Sequence, residues 1–392
     1  MLATEEQVIT AEQLNSLTSD FMGAVSGTLE GVEREQGLLV TNDDIRKIKR
    51  YVNAGLKLPI EIDEIEQIHK FDQADIPGLK SADMQTLFLS MRTHATSWSP
   101  LESSMKKVGS DLHVFADNFT SSSKSIIKYL ESLPSYISGT GIVGNLSPEE
   151  IDNLPEIQLT EGEKQKIPAL LELVEDLKAV ITKHSASTTT TKTQIHEFKR
   201  EIDLLEPALG LKLTLCKSKS LDETIKEFND KLKDLNERIE QKLAEIREYS
   251  KSKLWGIVGG LVGLLITSTI YGAKATQARK ELDQLTTDRR EIEAKIKTTN
   301  ETLATLLAFE TSLQDLHARI VGAAGSSSNL ESFWELIRVY VESSSEKLVD
   351  VTNAMYLITF TSRLTTMMDN WSEIKKQAGS LLTAFNNATS DA

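Results

Sequence analysis

One cysteine, Cys216, stands in 392 residues, so the chain can form no intrachain disulfide and no cysteine-rich metal site. The single thiol agrees with synthesis in a reducing cytoplasm. The six histidines, His69, His94, His113, His184, His196 and His317, include no pair at the i,i+4 spacing of a helical metal site. No H-E-x-x-H, G-x-S-x-G or Walker sequence occurs, so no residue is singled out as catalytic, and neither a metal nor a cofactor is expected. The chain reads as a non-enzyme. Basic residues are outnumbered, 44 Lys and Arg against 58 Asp and Glu, and a net charge of −14 argues against a nucleic-acid partner. The start, MLATEEQVITAEQ, has no basic n-region and no apolar h-region, which predicts release by a route other than a standard signal peptide. There are 8 prolines, the last being Pro207, so nothing after it interrupts a helix as proline would. Gly139, Gly141 and Gly144 have the G-x-G-x-x-G spacing of a dinucleotide fingerprint. No strand precedes them and Pro148 breaks the helix that should follow, so no nucleotide site is read there.

What the chain does have is one stretch without any charge, Leu254 to Ala273, LWGIVGGLVGLLITSTIYGA. As a helix its 20 residues would extend roughly 30 Å, the thickness of a bilayer's hydrocarbon core. Lys251 and Lys253 precede it and Lys274 follows, placed to meet lipid headgroups, while Trp255 and Tyr271 lie near its ends where amphipathic rings favour an interface. Gly256, Gly259, Gly260 and Gly263 permit either a close helix contact or a turn.

The flanks decide between a span and a tip. Upstream, Ile225, Phe228, Leu232, Leu235, Ile239, Leu243, Ile246 and Tyr249 form a narrow apolar seam on an otherwise charged helix. Downstream, Leu282, Leu285, Ile292, Ile296, Leu303, Leu306, Leu313, Leu316 and Ile320 repeat the pattern, interrupted once at Asp288 or Arg289. A straight span would hold these arms on opposite sides of a membrane with both seams uncovered. A turn among the glycines lets them pair as an antiparallel hairpin with an apolar tip.

The rest of the chain is also helical in pattern. A first stripe, Ala11, Leu14, Leu17, Phe21 and Val25, precedes a helix capped at Thr41 or Asn42 that carries Ile45, Ile48, Tyr51 and Val52. Short amphipathic helices follow up to Pro100, and Met105 to Ile137 predicts one long helix kinked at Pro134. Another runs through Leu173, Ile181, Ile195 and Leu205, with the polar SASTTTTKT as a thin part of a coiled coil and not a linker. Gly322, Gly325 and Ser326 to Ser328 predict a break, after which Phe333 to Ile374 form terminal helices packed beside the N-terminal ones.

GLLVTNDDIRKIKRYVNAGLKLP and KLWGIVGGLVGLLITSTIYGAKATQARKELDQL, set in this layout, resemble the A subunit of the binary alpha-xenorhabdolysin toxins, within the cytolysin A type of helical pore-forming toxins. The resemblance implies an all-α, elongated rod: residues 1–205 as the first part of a tail bundle with long body helices, 206–321 as a coiled-coil neck and head hairpin with its tip at 254–273, and 322–392 returning to the tail. It implies a hydrophobic foot of Trp255, Ile257, Val258, Leu261, Val262, Leu264, Leu265, Ile266, Ile270 and Tyr271. The implied partners are a target-cell lipid membrane and a second, B subunit that completes a hetero-oligomeric ring. The protein would be made in a bacterial cytoplasm and released to act on a host cell membrane. Two other classes fit the residues alone: a single-pass membrane coiled-coil tether, and a structural coiled-coil protein with a buried apolar helix.

Overall fold

The computed structural model describes residues 37–69, 77–143, 146, 150–151, 153–219, 223–251, 255–258, 261–264, 273–297 and 301–390. The stripe from Ala11 to Val25 lies outside the described residues. The architecture is an elongated helical bundle, with one short strand pair, in which a few very long helices do most of the packing, as the run of apolar seams predicts.

Helix α1, Asn42–Leu56, begins where the sequence says it should. Thr41 Oγ1 accepts the Asp44 N–H at 3.1 Å while Asp44 Oδ2 accepts the Thr41 N–H at 3.0 Å, a reciprocal capping box. Its stripe Ile45, Ile48, Tyr51 and Val52 is buried. Two shorter helices follow, α2 (Ile62–His69) and α3 (Ser81–Thr96). The long helix expected over 105–137 is two: α4 (Trp98–Leu130) and α5 (Pro134–Val143). Pro134 does not kink a helix but opens one, since its missing N–H costs nothing in a first turn. Gly139 and Gly141 therefore lie on α5, not in a phosphate-cradling loop.

After a single turn, α6 (Glu161–Lys164), the chain enters α7, Ile167–Lys219, whose 53 residues extend roughly 80 Å. The polar SASTTTTKT segment is an unbroken part of it. Thr188 and Thr191 are buried there, Thr188 accepting the indole N–H of Trp334 at 2.9 Å and Thr191 donating to the Ser104 carbonyl at 3.2 Å. Then come α8 (Glu223–Lys251), the strands β1 (Trp255–Val258) and β2 (Leu261–Leu264), α9 (Ala273–Lys297), α10 (Glu301–Val349) and α11 (Ala354–Ser390). Helices α4, α7, α10 and α11 pack together along their lengths. Their shared core is aromatic: Phe115 meets Trp334 and Trp371 edge-on at 4.7 and 4.5 Å between ring centroids, with Phe119 and Phe333 beside them.

Two expectations are corrected here. The break at Gly322, Gly325 and Ser326–Ser328 does not exist: α10 passes straight through. Residues 313–324 are buried without exception, so small side chains there answer to crowding and not to a turn. At Gly322 an added Cβ would meet the end of the Arg279 side chain, which would have to shift. Ser326 and Ser327 donate back to the carbonyls of Gly322 and Ala324, which satisfies their hydroxyls inside the helix. The real reversal falls earlier, between Lys297 and Glu301. Arg289 pairs with Glu310, Asp283 with Arg319 and Arg279 lies over Gly322, so α9 and α10 are antiparallel and the downstream arm is two helices.

Candidate functional site

The uncharged stretch sits at the joined end of α8 and α9. Leu235, Ile239, Leu243 and Ile246 of α8 close on Ala278, Leu282 and Leu285 of α9 in a cluster that Ala318 of α10 also joins. Lys242 ties the pair from outside, at 2.8 Å from Glu281 and 3.0 Å from Glu245. The arms therefore cover each other's seams, as the antiparallel reading requires. One straight span from α8 through to α9 is excluded, because both ends of the stretch return to the same bundle.

The tip itself is not helical where it is described. β1 and β2 pair antiparallel in the register Trp255 with Leu264, Gly256 with Gly263, Ile257 with Val262 and Val258 with Leu261. Residues opposite one another share a face of a ribbon. Trp255, Ile257, Val262 and Leu264 thus occupy positions of one face, and Gly256, Val258, Leu261 and Gly263 positions of the other. The ribbon pairs its inward backbone groups strand to strand, and Gly256 faces Gly263 across it. Of the other residues expected in the tip, Leu265, Ile266, Ile270, Tyr271, Lys253, Gly259 and Gly260 lie outside the described residues. Lys251 is the last residue of α8, and Lys274 is exposed in the first turn of α9. Among the described helices none is long and apolar enough to cross a membrane.

Sequence reasoning missed the second face of α9. Thr286, Arg289 and Glu293 are buried, and with Arg279 and Asp283 they form a polar stripe at helical spacing that faces α10 and α1. Arg289 is wholly buried, 3.3 Å from Glu293, paired with Glu310 and donating to Gln314 at 2.9 Å. Gln314 donates onward to Glu240 of α8 at 2.9 Å, and Thr311 donates to Glu293. Burial holds the Glu293 carboxyl above its usual range, opposed by Arg289 and the Thr311 hydroxyl. One layer further along, Arg319 of α10 is 4% exposed and meets Asp44 at 3.2 Å, Asp315 at 3.0 Å and Asp283. Burial disfavours its charge, but Asp315, Asp44, Asp283 and Asp43 outweigh that and hold the guanidinium more firmly protonated than usual. Lys47 adds a bond to Asp283 at 2.6 Å. The stripe's one mark in the sequence is the interruption of the downstream seam at Asp288 or Arg289, which taken alone has the spacing of a solvated face.

Of the buried histidines, His184 meets Asn118 at 3.2 Å, and His94 and His317 each meet groups on other helices. His94 is buried, its Nε2 3.1 Å from the Phe198 carbonyl and its Nδ1 2.8 Å from the Tyr51 hydroxyl. A carbonyl can only accept, so Nε2 carries the proton and Nδ1 accepts from Tyr51: a neutral, fully bonded ring. Burial, partly offset by that backbone bond and Glu201, lowers its pKa to about 4. His317 lies between two carboxylates, Nδ1 at 2.9 Å from Glu206 and Nε2 at 3.6 Å from Asp203. One ligand atom from each of Asp203, Glu206 and His317 lies within 4.8 Å of the others, a spacing a metal ion could use, and Asp203 is also held by Lys199 at 2.8 Å.

No protein-family model matches the chain, and no curated protein matches it. Among solved structures it is similar to YaxA from Yersinia enterocolitica, with 25% identity over 90% of this chain and 98% of that one and a TM-score of 0.48. It is similar to the XaxAB pore complex from Xenorhabdus nematophila, with 25% identity over 91% and 99% and a TM-score of 0.44. These two are toxins of the alpha-xenorhabdolysin family, the one that the sequence resembles. Soluble SmhA, of the tripartite alpha-pore forming toxin Smh from Serratia marcescens, matches with 13% identity over 98% and 97% and a TM-score of 0.55, which shows a shared fold.

Proposed function

We propose that this chain is the A subunit of a binary, alpha-xenorhabdolysin-type cytolysin, a toxin component that acts without chemistry of its own. The apolar tip over 254–273 attaches to a target-cell membrane, and the attached subunit assembles with a second, B subunit into a ring-shaped pore. The observation that carries this reading is the pairing of α8 with α9: a 20-residue uncharged stretch is presented at the joined end of two charged helices, with both of its ends returning to one body. A segment so placed can reach lipid when the hairpin leaves the body, and does not anchor the chain across it.

Physical chemistry supplies the drive. Apolar surface removed from water contributes about 25 cal/mol per Å², so seating several of Trp255, Ile257, Val258, Leu261, Val262 and Leu264 in a bilayer interface is favourable by several kcal/mol before ordering costs. Lys251, Lys253 and Lys274 add attraction to anionic headgroups on a chain that is otherwise acidic. One ribbon cannot enclose an aqueous hole, so conduction needs many subunits, and the B subunit is the expected partner. We read the protein as made in a bacterial cytoplasm, released, and active at a host cell membrane.

Co-sedimentation with vesicles tests the tip. Leu261→Glu with Leu264→Glu places two carboxylates in the ribbon and should weaken binding by about tenfold or more, since charge in apolar lipid costs a few kcal/mol. Equal sedimentation of the variant and the native chain would remove the membrane role. Dye release by this chain alone should stay at background and rise when the second subunit is added.

A further inference from the structure

We propose that the α8–α9 hairpin is stored against the body by the ion-pair clusters around Arg289 and Arg319, and that α9 parts from α10 along this polar face when the tip engages lipid. The inference rests on the membrane reading of the tip, and concerns what holds the tip back before it is used.

Helix α9 is bound on two sides by different materials. Towards α8 the contact is aliphatic, Ala278, Leu282 and Leu285 against Leu235, Ile239, Leu243 and Ile246. Towards α10 and α1 it is polar from Asp283 to Glu293, with Asp283, Arg289 and Glu293 against Arg319, Lys47, Glu310, Thr311 and Gln314, and among the described residues only Ala318 of α10 reaches the aliphatic cluster. At the base of the hairpin Ile296 and Leu232 join the apolar core of the body with Leu303, Leu306 and Leu307. Separating an aliphatic face leaves apolar surface in water; separating a charged face returns ions to the solvent they were taken from. The hairpin is therefore built to stay paired, and its attachment to the body is built to part from Asp283 to Glu293 while the apolar base at Leu232 and Ile296 stays joined.

The placing of the charges supports reversal. Each arginine keeps a carboxylate one turn away on its own helix, Arg319 with Asp315 at 3.0 Å and Arg289 with Glu293 at 3.3 Å. After separation Arg319 also keeps Asp44 of α1, and Lys47 keeps Asp43 at 2.7 Å. Glu310 keeps the influence of Lys217 on α7. Asp283 alone loses both of its cations, and it is already a third exposed to water. A parting line that leaves nearly every buried ion matched on its own side is what a contact made to open and close needs. A permanent core contact has no use for it.

Spin labels on Lys280→Cys of α9 and Arg50→Cys of α1, in the full chain with Cys216→Ala, report the contact by pulsed dipolar spectroscopy. The native contact should give one distance in solution, shifting to longer values on vesicles of phosphatidylcholine and phosphatidylglycerol. Asp283→Lys, which sets a cation against Arg319 and Lys47, should broaden the distribution to longer distances without lipid. Arg289→Met with Glu293→Leu and Glu310→Leu replaces one cluster by apolar packing and should hold the short distance even when vesicles are present. Vesicle binding with an unchanged distance overturns the latch and leaves the membrane reading intact. Absence of vesicle binding by every variant overturns the membrane reading, and an Asp283→Lys distance equal to the native one in solution then overturns the storage contact as well. A triple variant that opens on vesicles as readily as the native chain also overturns it.

Discussion

The tail of the bundle and the attachment of the hairpin are both buried, yet they are held by opposite means. In the tail, Phe115, Phe119, Phe333, Trp334 and Trp371 interlock among α4, α10 and α11, with Thr188 satisfying the Trp334 indole. At the hairpin attachment the same helix, α10, presents Thr311, Gln314, Asp315 and Arg319, all buried. Large apolar rings gain most from being sealed permanently, because both hydration and packing reward closure. Buried ion pairs contribute little net stability relative to apolar packing, but they make wrong arrangements costly. The contrast shows one helix serving as the fixed centre of a bundle along one stretch and as a docking rail along another.

The strongest way to test that contrast is to damage the tail. Trp371→Ala opens a cavity among four other aromatic rings, and should lower stability by about 3–5 kcal/mol in chemical denaturation. The label distance between α9 and α1 should not change while the protein remains folded. A tail lesion that freed the hairpin would show that the two regions are a single cooperative core.

A weaker lesion comes from acid. His94 joins α1, α3 and α7 as a neutral ring that, like the aromatic rings of the tail, is buried without charge. It titrates at its ordinary 6.5 when unfolded and at about 4 in the fold, so between these values the unfolded chain binds the extra proton. Stability is then full above pH 6.5, falls as the pH drops through the window, and falls no further from this group below about 4. The loss should reach about 3 kcal/mol, and His94→Gln, which can still donate to the Phe198 carbonyl and accept from Tyr51, should flatten it in urea titrations across that range. If the native chain and the variant lose stability equally, the ring is not the seat of the acid response.

Much of this architecture could be read from residue spacing. The α1 cap and stripe, the unbroken helix through SASTTTTKT and the apolar seam that joins α8 to α9 all follow from polarity at threes and fours, which is a local and periodic signal. What escaped was set by tertiary contact. The run from Gly322 to Ser328 has loop-like propensity, but a helix packed on every side overrides propensity when small side chains are what fits. The polar stripe of α9 has the spacing of a solvated face, and nothing in one sequence tells water from Arg319. In the tip, twenty uncharged residues favour a helix by length, whereas WGIV and LVGL are short runs of strand-forming residues that pair in a ribbon. The tip, the hairpin partner and the two arms were legible; the fold-back that brings them against the body was not.

The smallest predicted effect lies on the border between the two regions. Asp44 has two duties: one carboxylate oxygen accepts the Thr41 N–H at 3.0 Å in the capping box, and the other accepts from Arg319 at 3.2 Å in the latch. Thr41→Ala removes the side-chain half of the cap, leaving the Asp44 N–H without its partner, and should cost about 1 kcal/mol of stability. Because Asp44 is also positioned by that cap, the variant should broaden the α9 to α1 label distance slightly, well short of the change made by Asp283→Lys. A stability loss with no broadening would place the cap wholly in the tail and make the Arg319 cluster self-supporting. Broadening equal to that of Asp283→Lys would mean that the N-terminus of α1, and not the charge of Asp283, is the part of the attachment that yields.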